Sequence, residues 1–252
     1  MKLVILFLAA VGTQVALSQT PTPTPTPKPD EALIQAVKAQ NAKATQINGL
    51  ITAYYAAVAK KDWTAAADSV KQLIALDPKP NYYLALANSE LNSAKNDDAI
   101  AAYKTFFGMV GYPADLKIAD AATKALIGIA LTNTGNAYLK LKNYPEAIKN
   151  YESAAEIDPH PATAYFNLCA TEYNIGQMDA AILSCDKAIR ADPTKADAYF
   201  IKGSALYGNG NLDANNKYVL PPGTIEALKK YLELAPTGPH VEDVKAMLDA
   251  AK

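Results

Sequence analysis

In the stretch NAYLKLKNYPEAIKNYESAAEIDP, residues 136–159, the side chains of Ala147, Tyr151 and Ala154 recur at intervals of four and three. They therefore share one face of a helix and can meet a helix that precedes them. Asn143 or Tyr144 turns the chain between the two, and Pro145 fits the first turn of the new helix, where its missing N–H is not needed. Asp158 and Pro159 end that helix, because a residue before proline is pushed out of the helical region. Upstream, Leu33, Ile34, Val37, Ala44, Ile47, Leu50, Ile51, Tyr54 and Val58 form an apolar stripe that predicts a long helix from near Asp30. Downstream, Val241, Val244, Met247 and Leu248 predict a final helix within 237–252.

The pattern repeats. Leu131, Gly135, Tyr138, Ala147, Tyr151 and Pro159 fall over Tyr165, Cys169, Glu172, Ala181, Cys185 and Pro193 with a constant offset of 34, and Tyr199, Gly203 and Leu206 begin a third copy. Weaker copies lie upstream: Tyr83, Leu86, Ala87, Glu90, Ala99 and Tyr103, and before them Leu50, Tyr54, Ala66, Val70 and Pro78. The tails ALDP, EIDP and RADP end at Pro78, Pro159 and Pro193. This spacing resembles the tetratricopeptide repeat, here as in an exported bacterial protein of that superfamily. The resemblance implies an all-α, right-handed superhelical solenoid of stacked antiparallel helix hairpins. Five repeats are expected at about 47–79, 80–113, 128–161, 162–195 and 196–239, with a capping helix at 238–252. One hairpin cannot bury its apolar face alone; stacking makes the core continuous, and the terminal helix covers its open edge.

Two insertions break the period. Ala99 and Ala147 lie 48 apart, and the apolar positions Leu116, Ile118, Ala122, Leu126, Ile127 and Leu131 predict a longer first helix beginning just after Pro113. A second insertion, GNGNLDANNKYVLPPGT at 208–224, predicts a loop or a short hairpin around its NN and PPG turns. Asp213, Asn215 and Asn216 in it lack the alternating acidic ligands and terminal glutamate of a calcium loop, so they are read as turn residues.

Before the repeats, MKLVILFLAAVGTQVALSQT carries one cation, Lys2, an apolar run from Leu3 to Val11, and Ala16 and Ser18 spaced for signal peptidase. A signal peptide at 1–18 is expected, with an uncleaved N-terminal membrane anchor as the alternative. The apolar run is too short to span a hydrocarbon core of about 30 Å, so no membrane span is expected after cleavage. Residues 19–30, with PTPTPTPKP, predict an extended linker, since alternating prolines remove backbone donors and fix φ. The repeat domain is 31–252, and the expected location is the periplasm or the exterior of a bacterial envelope. The formal charge of −1 gives no basic face for nucleic acid.

No catalytic motif appears. Only two histidines exist, His160 and His240, each beside proline in an expected inter-helix turn, and neither a zinc set nor a nucleophile motif can be assembled. Glu90 and Glu172 stand where the repeat has tyrosine. If buried, each needs a partner or has a raised pKa; hydrogen bonding to neighbouring tyrosine or backbone is expected, and the two are too far apart in the array to act as an acid/base pair. No metal and no cofactor are expected.

In tetratricopeptide proteins the concave groove is lined by first-helix residues and holds peptides or segments of other proteins. By repeat position the resemblance implicates Tyr55, Asn88, Asn92, Thr132, Asn136, Lys140, Phe166, Asn167, Tyr173, Phe200, Ser204 and Tyr207. Side-chain amides can pair with an extended backbone, and aromatic faces supply contact area. The chaperone-binding members clamp two carboxylates with Lys, Asn and Arg. Thr132, Asn136, Asn167, Asp197 and Ile201 hold the corresponding places here, without a cation, so an acidic C-terminal tail is not the expected ligand. The expected function is non-enzymatic: a scaffold or interaction module of the envelope that binds peptides or proteins. A structural spacer or assembly factor without a groove ligand is the alternative, and a carbohydrate binder or enzyme ranks below both.

Cys169 and Cys185, the only cysteines, take the places of the small residue and the aromatic in one hairpin seam. A zinc site needs about four ligands and has only these two. In antiparallel helices the residue best opposed to Cys169 is nearer Ala181, about one turn or 5–6 Å from Cys185. Cα atoms must approach within about 7 Å to bridge. Two separate buried thiols are therefore expected, with a disulfide as the alternative.

Overall fold

A computed structural model describes residues 30–117, 119–214 and 218–251. The expected signal peptide and all but Asp30 of the linker lie outside the described residues, as do Ile118 and the hairpin tip with Asn215 and Asn216. The chain divides into a compact unit at 43–252 and a unit that ends at Ala42.

Among the described residues the helices are α1 (Glu31–Ala59), α2 (Trp63–Leu76), α3 (Pro80–Asn92), α4 (Asn96–Met109), α5 (Ala121–Lys140), α6 (Tyr144–Ile157), α7 (Ala162–Asn174), α8 (Met178–Ala191), α9 (Ala196–Gly208), α10 (Thr224–Leu234) and α11 (Val241–Ala250). The pairs α3–α4, α5–α6, α7–α8 and α9–α10 are antiparallel hairpins, and each second helix packs on the first helix of the next pair. The unit is thus an all-α solenoid of stacked hairpins. No described helix is long and apolar enough to cross a membrane.

The local causes are those of the repeat. Asp62, Asp120 and Asn143 cap α2, α5 and α6 by accepting from the N–H groups of Ala65, Thr123 and Glu146. Asp77, Asp158 and Asp192, each before a proline, are the C-caps of α2, α6 and α8. The turns after α1, α3, α5 and α7 each pass through one left-handed residue, Lys61, Ala94, Lys142 and Gly176 in that order. The next residue's N–H then reaches back to the carbonyl of Ala57, Glu90, Tyr138 or Glu172, the bond that closes a Schellman turn. Only the fourth uses glycine, to which that backbone is open at no steric cost.

Ala66, Ala99, Ala147 and Ala181 on the second helices are fully buried at the crossings. Opposite Ala147 stands Gly135, where an added Cβ would lie 2.5 Å from the Tyr151 ring. In the first repeat the corresponding place is Tyr54, and there the hairpin does not close: α1 and α2 do not pack along their length as the later pairs do. A phenol ring at the crossing is too large for the close approach that Gly135 permits. Of the α1 residues only Ala57 is buried; Leu33, Ile34, Val37 and Tyr55 are exposed.

Two expectations are corrected. The helix expected just after Pro113 starts at Ala121. Residues 111–117 instead turn, with Gly111 left-handed and the Asp115 N–H donating to its carbonyl at 2.7 Å, while Tyr112 and Leu116 pack on the core. Asp120 then caps the true start. The cysteines, expected as separate thiols, are bonded: the Cα atoms of Cys169 and Cys185 are 5.1 Å apart and both residues are fully buried. The small residue at one end of the crossing brings α7 and α8 closer than the axial offset alone suggests.

At the second insertion Asn211–Leu212 (β1) and Tyr218–Val219 (β2) form a two-stranded antiparallel hairpin, Asn211 opposite Val219. At the C-terminal end α11 closes the core: Val244 is fully buried against Leu228 and Tyr231 of α10, with Met247 and Leu248 beside it.

Candidate binding face

The first helices α3, α5 and α7 carry a ladder of asparagines. Asn88 Oδ1 accepts from the Tyr103 hydroxyl at 2.5 Å and from Asn133 Nδ2 at 3.1 Å. Asn136 Nδ2 lies 3.5 Å from Asn133 Oδ1. One repeat later the motif recurs: Asn136 Oδ1 accepts from the Tyr151 hydroxyl at 2.8 Å and from Asn167 Nδ2 at 3.3 Å. A buried second-helix tyrosine thus fixes a first-helix asparagine, which ties to an asparagine of the following repeat. Burial pushes the Tyr103 and Tyr151 hydroxyls well above their ordinary pKa, so they remain donors at any physiological pH. Asn133 escaped the sequence reading, although it and Asn167 are separated by the repeat length of 34; a search at that offset finds it.

Lys140 Nζ donates to the Leu91 carbonyl at 3.3 Å, another inter-repeat tie, and Asn92 Nδ2 donates to the Asn88 carbonyl at 2.7 Å. Thr132 is buried beside the ladder. The ladder stops where the disulfide begins. Ala170 and Ile201 take the places of its next asparagines, and Cys169–Cys185 replaces the glycine and tyrosine that face each other between α5 and α6. One hairpin is held by a covalent link, its neighbours by packing and amides.

The remaining candidates divide. Phe166 lies half-buried under Lys195, whose Nζ is 5.2 Å from the ring centroid, and Tyr173 is half-buried beside the disulfide. In the last repeat the chain itself contacts all three. His240 stacks flat on Phe200 with centroids 3.8 Å apart, Ser204 points at Met247 Sδ, and Tyr218 of the hairpin packs on Tyr207 and donates to its carbonyl. Tyr55 is 65% exposed on α1. The open part of the first-helix face therefore runs from Asn92 through α5 to Tyr173. His240 lies in an inter-helix turn as expected, before α11, and it also anchors that turn: its backbone N–H donates to the Tyr231 hydroxyl at 3.0 Å.

Glu90 and Glu172 also depart from expectation. Neither is held by tyrosine. Glu90, 1% exposed, ion-pairs with Lys71 at 2.6 Å and Lys95 at 3.5 Å, and that contact raises the Lys71 pKa. Burial raises the Glu172 carboxyl, an effect that Ser184 beside it opposes and Glu152 adds to. Among the described residues no three His, Cys, Asp or Glu side chains are placed so that they could hold a metal ion.

Residues 128–161 match one model of the tetratricopeptide repeat and residues 172–215 another. No curated protein matches the chain significantly. Several solved structures share the fold. MamA is 20% identical, with 79% of this chain and 96% of that chain aligned and a TM-score of 0.59. YrrB, a tetratricopeptide repeat protein with an unusual peptide-binding site, is 17% identical over 86% and 98%, TM-score 0.58. The C-terminal part of a repeat-containing protein from Cytophaga hutchinsonii is 21% identical over 81% and 71%, TM-score 0.60. With residues 128–161 and 172–215 matched as tetratricopeptide repeats and hairpins stacked from α3 to α10, the chain contains tetratricopeptide repeats and has the fold of that superfamily.

Proposed function

We propose that the chain is a non-enzymatic interaction module of a bacterial envelope, exported by its N-terminal segment, which holds an extended segment of another protein on the first-helix face between Asn92 and Tyr173. The observation that carries this reading is the ladder itself. Asn88, Asn133, Asn136 and Asn167 are oriented by buried tyrosines and by one another, so their orientation costs little entropy when a backbone is bound. Tyr173 and Phe166 supply apolar area at one end and Asn92 polar contact at the other. YrrB lends support as a protein of this fold with a peptide-binding site. An extracytoplasmic address agrees with a disulfide in the core.

The ladder also favours a second reading. Its amides are already hydrogen-bonded, as expected of a rigid spacer or assembly factor with no groove ligand. Photo-cross-linking separates the two. With a photoreactive side chain in place of Tyr173 or, as control, Arg190 on α8, the full chain in its native envelope should yield a discrete adduct from position 173 only. Adducts from Arg190 alone, or from neither, favour the spacer.

A further inference from the structure

Glu90 and Glu172 occupy the same place in repeats two and four, yet only one of them is neutralised. The cations that face Glu90 are Lys71, on the second helix of the preceding repeat, and Lys95, at the hairpin turn of its own. In register with these, around Glu172, stand Glu152 and Gln177. One lysine has become a carboxylate and the other a neutral amide. Glu172 is 7% exposed, its Oε2 is buried with no hydrogen-bond partner, and no basic side chain among the described residues pairs with it.

This carboxyl lies in a cleft of about 370 Å³ between α6, α7 and α8. Glu152 and Glu156 face it from α6, Tyr165 from α7, and Ser184 and Lys187 from α8. Lys187, the one cation, is exposed and sits over the Tyr165 ring at 5.5 Å, and among the groups that act on Glu172 its effect is the weakest. Three carboxylates against one displaced ammonium leave the cleft short of positive charge. A buried carboxyl left without a counter-charge is costly when ionised. The Tyr165 face adds a surface on which a cation can rest, and the volume admits a single side chain or small molecule.

We propose that this cleft binds a primary ammonium or guanidinium group, which enters beside Glu152 and stands against Glu172 as the Lys71 ammonium stands against Glu90. The site lies on the second-helix side of the array and is separate from the asparagine ladder, so it offers a second point of attachment, for a lysine or arginine of a partner chain or for a free amine.

The test follows the Glu172 side-chain carboxyl by 13C NMR in the full chain, assigned with Glu172→Gln. Methylguanidinium should move the resonance saturably and lower its titration midpoint by about one unit, which corresponds to tenfold tighter binding to the ionised form. An N-acetyl-Gly-Arg-Gly amide, whose one cation is the guanidinium, that binds more tightly than methylguanidinium assigns the cation to a partner's side chain; equal binding assigns it to a free amine. N-acetyl-Gly-Gln-Gly amide, which carries no cation, should do nothing. Glu152→Lys installs the missing lysine, and should lower the midpoint without ligand and abolish the methylguanidinium response. A Glu172 resonance unmoved by either cation, or a response unchanged in Glu152→Lys, overturns the proposal.

Discussion

At the scale of single residues, the two glutamates make opposite predictions. Glu90 loses two ion pairs on substitution. Because Lys71 and Lys95 are each nearly half exposed, Glu90→Gln should destabilise by only about 1–2 kcal/mol rather than the full value of a buried pair. Glu172→Gln should do the reverse at neutral pH. Its carboxyl is raised in the folded state, so between the unfolded pKa of about 4.3 and the folded value the unfolded chain has already released a proton that the native chain retains. Wild-type stability therefore falls as pH rises through that window. Urea unfolding should find Glu172→Gln more stable than wild type at pH 7 and level with it at pH 4. Both positions were legible as departures from the repeat's tyrosine. Their partners were not, because Lys71, Glu152 and Ser184 come from other helices, and Lys95 reaches Glu90 only through the fold of the hairpin turn. The left-handed turn residues were equally hidden. Lys142→Gly removes the strain of φ 58° and should stabilise by up to about 1 kcal/mol in the same assay.

At the scale of elements, hairpin closure is set by what stands at the crossing. Gly135→Ala would press a methyl into the Tyr151 ring and should destabilise by about 1–3 kcal/mol. Thermal melting read against a surface Gly49→Ala control, where nothing lies within 4 Å of the added methyl, would measure it. The α7–α8 hairpin should show no titratable thiol in denaturant without reductant. A bridge across 16 residues confers about 3 kcal/mol by constraining the unfolded chain, so reduction should lower the urea midpoint, and two free thiols in the untreated protein would refute the bond. The period of 34, the Asp-Pro ends and the proline at the start of α6 made the hairpins readable. The start of α5 was not, because apolar periodicity alone cannot tell a helix from a turn that docks Tyr112 and Leu116 on the core. Nor was the disulfide, since residue spacing fixes axial offset but not how far a small side chain lets two helices approach.

At the scale of the whole molecule, each repeat rests on its neighbours, and the array ends where α11 covers Leu228 and Tyr231. Chains ending before Gly238 should show faster amide exchange in α9 and α10 while α5 and α6 change little, as expected when stability passes only between adjacent units. The family and its stacking were visible in the sequence because every repeat restates the pattern. The binding face was visible only in part: repeat position named the first-helix residues, but it could not foresee that His240, Met247 and Tyr218 would occupy Phe200, Ser204 and Tyr207, which leaves the middle repeats as the open face. That face carries the proposed function, and one measurement bears on it most directly. A library of extended peptides is selected on the full chain, and the winning peptide is mapped by amide NMR. The account predicts shifts clustered at Asn92, Thr132, Asn136, Asn167 and Tyr173, and binding lost in Tyr173→Ala with helical content unchanged. Shifts confined to the second helices, or binding indifferent to Tyr173→Ala, would contradict it.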